Sequence, residues 1–517
     1  MEGFDREKLR KELNTTLKAS AFMPRRDALD FCVEQLEASD KSKRKKIMEK
    51  MIATLRQQQL STSVVTRDVM RDVITQILTA AQSIANIPLF NIYDSFSIKK
   101  FALDSDLRKI LPATGPLQVA CGVDKATASF RHRFQMVAQR ARRCKNLDKI
   151  RARIHTIDSL VGLSKKIENV VVIGMLVQQK DDCYHLEDLS GSIQIEFTDT
   201  DFRPGLYVEG GIYMFEGTFD SNLFLVTNAA LVPLESAGDT RDFFGNENWF
   251  GGDDAVAFRL NEKLVKAVET NPDASIVILS DVFVDDSTVL KAVYHLLTGF
   301  SSAPPVAFVL CGNFCSRPRQ TETMQLLENG FRRLGNILQE PDFKEAYKNT
   351  QIVFIPGPDD PPNTIFLPRP HLPGNLFNFL EAVPNVSFST SPVRLQYGSK
   401  EIVVLRDDLV EKMCKHAVNN VQQQEIPRYF ARTVLSQAHL SPFCMHVSPV
   451  LWDWDHALTL HPLPDLVVVA DKFGKFAETQ AGTLVSNPGS FSKSSFGFHV
   501  YYPFHNRVDD SQLPPLD

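Results

Sequence analysis

The chain has 517 residues, of which 43% are hydrophobic and 23% charged, with a net charge of −5. That length calls for about two to four domains, and the mildly acidic balance excludes a chain that binds nucleic acid through its overall charge. No apolar run reaches the roughly 20 residues of a membrane helix, so no membrane partner is expected. The opening MEGFDREKLRKEL is charged from the start, which argues against a secretory signal.

Residues 1–80 read as a helical bundle. Leu9, Leu13 and Leu17 recur at helical spacing, as do Ile47, Met48, Met51, Ile52 and Leu55, and then Val65, Val69, Val73 and Ile77. Ser61–Ser63 offer an N-cap for the last helix. The run Lys41–Lys46 reads as a solvated basic turn, with a nuclear-import patch as the alternative. Residues 81–160 carry Pro, Gly and turn residues with little periodicity and read as a connecting arm. The arm ends in the strongly basic stretch Phe130–Ile154, whose Phe134, Val137 and Ala141 form one apolar face. It reads as a solvated basic helix packed on the next domain; a phosphate-backbone contact is the alternative, with salt-dependent DNA binding as its signature.

Residues 161–238 switch to period two, punctuated by glycines at 174, 191, 205, 210, 211 and 217. Five or six short strands of this kind fit an OB-fold β-barrel. Its aromatics (Tyr184, Phe197, Phe202, Tyr207, Tyr213, Phe215, Phe219, Phe224) could stack bases. Between Val170 and Ala230, however, ten acidic residues face only Lys180 and Arg203, so the barrel reads as a protein-docking module. The stretch Asp239–Ala255, with Phe243, Phe244, Trp249 and Phe250, is too apolar for a free linker and reads as a pin between domains.

Residues 239–517 read as an α/β domain. Ser275–Asp281, Val306–Asn313, Ile352–Asp360 and Asp465–Phe473 are apolar runs that read as strands buried on both faces. Helices are expected over Leu260–Thr270, Asp286–Phe300, Thr321–Gln339 and Pro427–His439. Val386–Tyr397 and Glu401–Leu409 read as hairpin strands, and Gly482–Phe491 and Phe496–Phe504 close the sheet. In open α/β sheets, sites form where loops leave the carboxyl ends of such strands. Here those ends carry Asp281, Asn313, Asp359 and Asp360. The eight cysteines are scattered, and only Cys311 and Cys315 lie close. They lack zinc-site spacing and read as reduced thiols of a nuclear or cytosolic protein.

The order of these loops resembles the calcineurin-like metallophosphoesterases. That resemblance implies metal ligands in loops of the form DxH, GDxxD, GNH(D/E), a lone His and GHxH, which together hold two ions. Asp281 remains, but Phe283 stands at the first histidine, Asn313 at the bridging aspartate, and Pro358 and Asp359 at the Asn-His pair. His439 matches the lone histidine, while the loop with Asp471 and Phe473 lacks both imidazoles. These positions are therefore expected to be vestigial, with no catalytic residue, no metal and no cofactor.

A helical N-terminal domain, an OB barrel and an inactivated phosphoesterase-like domain, in that order, resemble the B-subunit family of eukaryotic replicative DNA polymerases. The stretches ILSDVFVD, FVLCGNF, FIPGPDDP, LPRPHLP, VLSQAHLSP, PDLVVVADKF, NPGSF and FFGNENWFGG resemble its epsilon branch over the whole chain. The resemblance implies a nuclear, non-catalytic accessory subunit that holds the zinc-bearing C-terminal region of the catalytic subunit. It also implies that the N-terminal bundle reaches the GINS part of the replicative helicase, that small histone-fold polymerase subunits share the complex, and that DNA contact is weak or indirect. The alternative is an active metal-dependent phosphodiesterase or exonuclease.

Overall fold

The computed structural model of the chain describes residues 6–19, 22–37, 51, 55, 64–74, 89–104, 109–113, 115–144, 147, 153–163, 165–180 and 183–515. They fall in two compact units, Met1–Pro88 and Leu89–Asp517.

In the first unit the helices Arg6–Ala19 and Arg26–Glu37 and a helix over 67–74 enclose a core of Leu9, Leu13, Leu17, Cys32, Val33, Val65, Met70 and Val73. Met51 and Leu55 join it. Val65, expected inside the last helix, instead pairs with Pro24 in a short parallel bridge. Thr66 then caps the helix, its hydroxyl accepting from the Val69 N–H at 3.5 Å. The β-branched pair Val64–Val65 favours that extended start. Ser61–Ser63, Lys41–Lys46, Ile47, Met48, Ile52 and Ile77 lie outside the described residues.

In the second unit, the barrel strands run Ile167–Lys180, Cys183–Glu187, Ser192–Glu196, Ile212–Asp220 and Leu223–Leu231. Ser192–Glu196 pairs back onto Leu223–Leu231 and closes the barrel. Tyr207, Tyr213, Phe215, Phe219 and Phe224 fill its interior, with Tyr184, Phe197 and Phe202 packed against them. The aromatics are core rather than a stacking platform. Gly217 marks a bulge in Ile212–Asp220; a Cβ there would lie 2.1 Å from the Leu225 carbonyl oxygen.

The rest of this unit is a four-layer α/β/β/α sandwich. One six-stranded sheet has the order Val386–Phe388, Gln351–Ile355, Ala307–Cys311, Ile276–Leu279, Gly497–Tyr502, Arg507–Gln512. Its first four strands are parallel. The other has the order Phe476–Gln480, Thr483–Asn487, Leu466–Ala470, Lys400–Arg406, Val393–Tyr397, Phe90–Asp94. Alternate residues of the apolar runs serve different cores, as period two requires. Ile276 and Ile278 face the layer between the sheets, whereas Val277 and Leu279 face the helices Ser287–Phe300 and Thr323–Leu338. Helix Ile426–Gln437 covers the second sheet on its outer side.

Two readings change here. Val386–Tyr397 is not one hairpin strand: Val386–Phe388 belongs to one sheet and Val393–Tyr397 to the other, because Ser389–Pro392 carries the chain across the sandwich. The stretch expected as a connecting arm supplies Phe90–Asp94, paired antiparallel with Val393–Tyr397. Leu89, Phe90 and Ile92 pack into the core between the sheets, which anchors it.

Candidate functional site

Parallel strands deliver their loops to one edge, and here both sheets do so together. Ile276–Leu279 ends in Asp281, Ala307–Cys311 in Gly312, Lys400–Arg406 in Arg406 itself, and Leu466–Ala470 in Asp471. The group at their centre is a guanidinium. Arg406 is 1% exposed. Its Nη2 donates to Asp281 Oδ1 at 2.8 Å and its Nε to the Gly312 carbonyl at 2.6 Å. Its Nη1 donates to Asp408 Oδ1 at 2.9 Å and to the Ala470 carbonyl at 3.2 Å. Burial alone would lower the pKa of this guanidinium, but Asp281 and Asp408 outweigh it and hold it above its ordinary value.

Asp281 takes a left-handed backbone, with φ 56°, which a short polar side chain tolerates. Its Oδ1 also accepts the Asn313 N–H at 3.1 Å. The amide oxygen of Asn313 accepts the Asp359 N–H at 3.0 Å, and the Asp359 carboxylate pairs outward with Arg319 at 2.7 Å. Asp360 is buried and accepts the Phe314 and Gly357 N–H groups, both at 2.8 Å. Burial pushes its carboxyl up to about 6. These loops approach so closely that a Cβ on Gly312 would lie 1.9 Å from Asp360 Oδ2.

Asp471 is spent in the same way. It accepts the Val410 N–H at 2.9 Å and the Phe473 N–H at 2.8 Å, and burial pushes it up to about 6. Phe283 and Phe473 turn into the two flanking cores, and Pro358 is half-buried. Cys311 is buried in the core between the sheets, its thiol pushed up to about 12 by desolvation.

His439 stands apart from this group. Its Nδ1 accepts the Ser441 N–H at 3.0 Å and its Nε2 lies 3.3 Å from Asp455 Oδ1. Burial, with Arg133 beside it, lowers its pKa. Together with His132, His456 and His461 it lines a cavity of about 50 Å³. A two-metal centre needs several carboxylate and imidazole donors aimed at one point. Here Asp281 faces a guanidinium, Asp360 and Asp471 face backbone amides, and His439 faces Asp455. These residues do not fit a pair of ions.

The basic stretch is not a solvated face. Helix Val123–Arg143 lays Val137, Ala138 and Ala141 on the barrel strands and turns arginines inward. Buried Arg133 grips Asp455 with two nitrogens, and buried Arg140 donates to the Ser436 carbonyl. Burial would raise the Asp455 carboxyl, but Arg133 and His439 outweigh it and hold it well below the usual carboxylate range. Arg143 pairs with Glu235 at 2.7 Å and lies 4.2 Å over the Phe243 ring. Of the helical arginines, Arg131 and Arg142 remain exposed; Lys145, Lys149 and Arg151 lie outside the described residues. In the pin Asp239–Ala255, Trp249 and Phe250 are buried as expected, while Phe243 is 47% exposed.

The barrel and the sandwich meet along helix Ile426–Gln437. The Gln437 amide accepts the Ile212 N–H at 2.7 Å and donates to the Ile212 carbonyl at 2.8 Å. Thr433 accepts the Leu206 N–H at 2.9 Å, and Ser436 donates to the Val232 carbonyl at 2.7 Å. Sequence reasoning missed Arg406 and Asp455. The signal for the first was present, a charged residue ending the apolar run IVVLR.

Comparison with known proteins covers all three parts. Residues 276–478 match the family of the B subunit of DNA polymerase alpha/epsilon. Residues 123–233 match the DNA polymerase epsilon subunit 2-like OB-fold domain, and residues 5–77 the DNA polymerases epsilon N terminal. A probable DNA polymerase epsilon subunit 2 from Caenorhabditis elegans is 46% identical over 98% of this chain and 95% of its own length. The human DNA polymerase epsilon subunit 2 is 34% identical over 98% of this chain and 99% of its own. Among solved structures, an archaeal phosphodiesterase covers 46% of this chain and 99% of its own at 12% identity, with a TM-score of 0.26, too low to carry any argument.

Proposed function

This chain belongs to the family of DNA polymerase epsilon B subunits (subunit 2), and we propose that it acts as the non-catalytic accessory subunit of that polymerase in the nucleus. The observation that carries the non-catalytic reading is Arg406. A buried guanidinium stands among the strand ends where a phosphoesterase would hold its metals, and it takes up Asp281, the one matching carboxylate. Phe283, Asn313, Pro358, Asp359, Asp471 and Phe473 then serve the loops they sit in. A metal-dependent phosphodiesterase would need donors that these loops do not supply.

In this reading the OB module (161–238) and the phosphoesterase-like module (239–517), with the basic helix of the 81–160 segment locked between them, form one platform. That platform holds the C-terminal zinc-binding region of the catalytic subunit. Its rigidity is supported by the Gln437, Thr433 and Ser436 bonds across the seam. The N-terminal bundle (1–80) reaches GINS and so ties the polymerase to the helicase, with the small histone-fold subunits in the same assembly. Direct DNA contact is weak or indirect, because Arg133, Arg140 and Arg143 are engaged inside the protein. Affinity purification of the full chain from nuclear extract, with mass spectrometry, tests this. The large catalytic subunit should co-purify in stoichiometric amount and GINS in smaller amount; absence of the large subunit would refute the reading.

A further inference from the structure

We propose that Glu209, Cys444 and His446 form a zinc site that clips the OB barrel to the phosphoesterase-like domain. Their donor atoms converge from two loops. Cys444 Sγ lies 3.4 Å from Glu209 Oε2 and 3.5 Å from His446 Nε2, and that Nε2 lies 3.8 Å from Glu209 Oε2. All three atoms fall within 4.8 Å of one another. Around a tetrahedral zinc with Zn–S about 2.3 Å and Zn–N or Zn–O about 2.0–2.2 Å, donor-to-donor edges come to about 3.4–3.6 Å. The two edges to sulfur already have that size, and the Nε2–Oε2 edge, at 3.8 Å, has to close by a few tenths of an ångström.

Both loops are held by their backbones, which fixes where the three side chains start. Glu209 sits in the turn before strand Ile212–Asp220. The N–H of Gly210 donates to the Leu176 carbonyl at 2.8 Å, that of Gly211 to the Val208 carbonyl at 3.2 Å. Opposite, the Cys444 carbonyl accepts the N–H groups of Val447 and Ser448, both at 3.2 Å. The loops touch at Gly210, which has φ +86°, and a Cβ there would lie 2.5 Å from the Cys444 backbone nitrogen. Glu209 Oε1 accepts the Gln178 N–H at 3.3 Å, leaving Oε2 turned toward the sulfur.

The donor set selects the metal. A thiolate and an imidazole beside one carboxylate suit zinc or cobalt and disfavour magnesium or calcium, which take oxygen donors. On binding, the Cys444 S–H bond breaks, an S–metal bond forms and the proton leaves to solvent; no electrons change hands. Without an ion, the Cys444 S–H donates to Glu209 Oε2 at 3.4 Å, and burial and that carboxylate push the thiol up to about 12, so the ion has to displace this proton to take its place between sulfur and carboxylate. Three protein donors leave the fourth position to water. Glu209 belongs to the barrel and the other two to the sandwich, so the ion would span their seam.

The test is titration of the chelator-stripped full chain with Co²⁺, read by absorption. One equivalent should produce a thiolate-to-cobalt charge-transfer band with the visible bands of four-coordinate cobalt, and Zn²⁺ should displace it. Cys444→Ser should lose the charge-transfer band. His446→Ala should bind at least about tenfold more weakly; its ring is largely exposed (68%), so this variant folds, as circular dichroism would verify. Absence of the band at one equivalent, its persistence in Cys444→Ser, or unchanged affinity in His446→Ala would each overturn the proposal.

Discussion

Among the described residues, two places that gather side chains of the kind that bind metals use them in opposite ways. At the strand-end edge, Asp281 meets a buried guanidinium while Asp360 and Asp471 meet backbone N–H groups. At the barrel seam, Glu209, Cys444 and His446 meet mainly one another, half-buried or exposed. The first is a closed set of charges whose protein cation is permanent. The second is three donors of one triangle with no protein cation among them. Resemblance to a fold points to the first place, whereas the capacity to take an ion belongs to the second. Donors must have lone pairs to spare, and a strand-end position alone does not supply them.

The largest effect should come from breaking the closed set. Arg406→Met leaves Asp281 as an uncompensated buried charge and strips the Gly312 and Ala470 carbonyls of a donor. A loss of about 3–5 kcal/mol is expected, read as a lower urea midpoint for the second unit. A midpoint within about 0.5 kcal/mol of the parent would mean that the guanidinium is not holding the two sheets' loops together.

Acidity probes the same edge more gently. Asp360 is raised to about 6 when folded and reverts to about 3.9 when unfolded. The folded state therefore binds its proton more tightly, so this residue favours folding at low pH and loses that contribution as pH rises from about 4 to about 6. Asp471 acts with the same sign. Asp455, depressed below its ordinary value, acts with the opposite sign: its contribution is present above about 3.9 and is lost only below it. Asp360→Asn should flatten the fall in stability between pH 4 and 6 by an amount on the order of 2 kcal/mol. An unchanged slope would contradict the burial of a titrating carboxyl there.

Smaller effects are expected away from the edge. Arg143→Ala removes a partly buried pair with Glu235 and the stack on Phe243, and should cost about 1 kcal/mol in thermal unfolding. His446→Ala, in the absence of metal, should stay within about 0.5 kcal/mol of the parent. With Zn²⁺ present, the parent should gain more thermal stability than this variant. Equal gains in both would place the ion elsewhere.

Much of this architecture was legible in the sequence because it is written in local periodicity. The doubly buried strands around Ile276–Leu279 and Leu466–Ala470 and the helix Ser287–Phe300 needed no tertiary information. The substituted strand-end positions, Phe283 and Phe473 among them, could also be read directly, since neither residue can coordinate. What escaped was decided by contacts distant in sequence. Arg406 meets Asp281 across 125 positions, and Cys444 meets Glu209 across 235. Arg133 and Arg140 read as solvated charges because nothing local shows that Asp455 and the Ser436 carbonyl await them. Phe90–Asp94 read as part of an arm because an edge strand of five residues carries too little pattern to stand out. Ser389–Pro392 hid a change of sheet inside what looked like one strand.

The most direct test of the contrast is metal stoichiometry by elemental analysis of the full chain after dialysis against Zn²⁺ and Mn²⁺, compared with Cys444→Ser and Asp281→Asn. The account predicts one zinc and no manganese per chain, with the zinc lost in Cys444→Ser and kept in Asp281→Asn. Two ions per chain that disappear with Asp281→Asn would contradict it and would return the strand-end edge to metal chemistry.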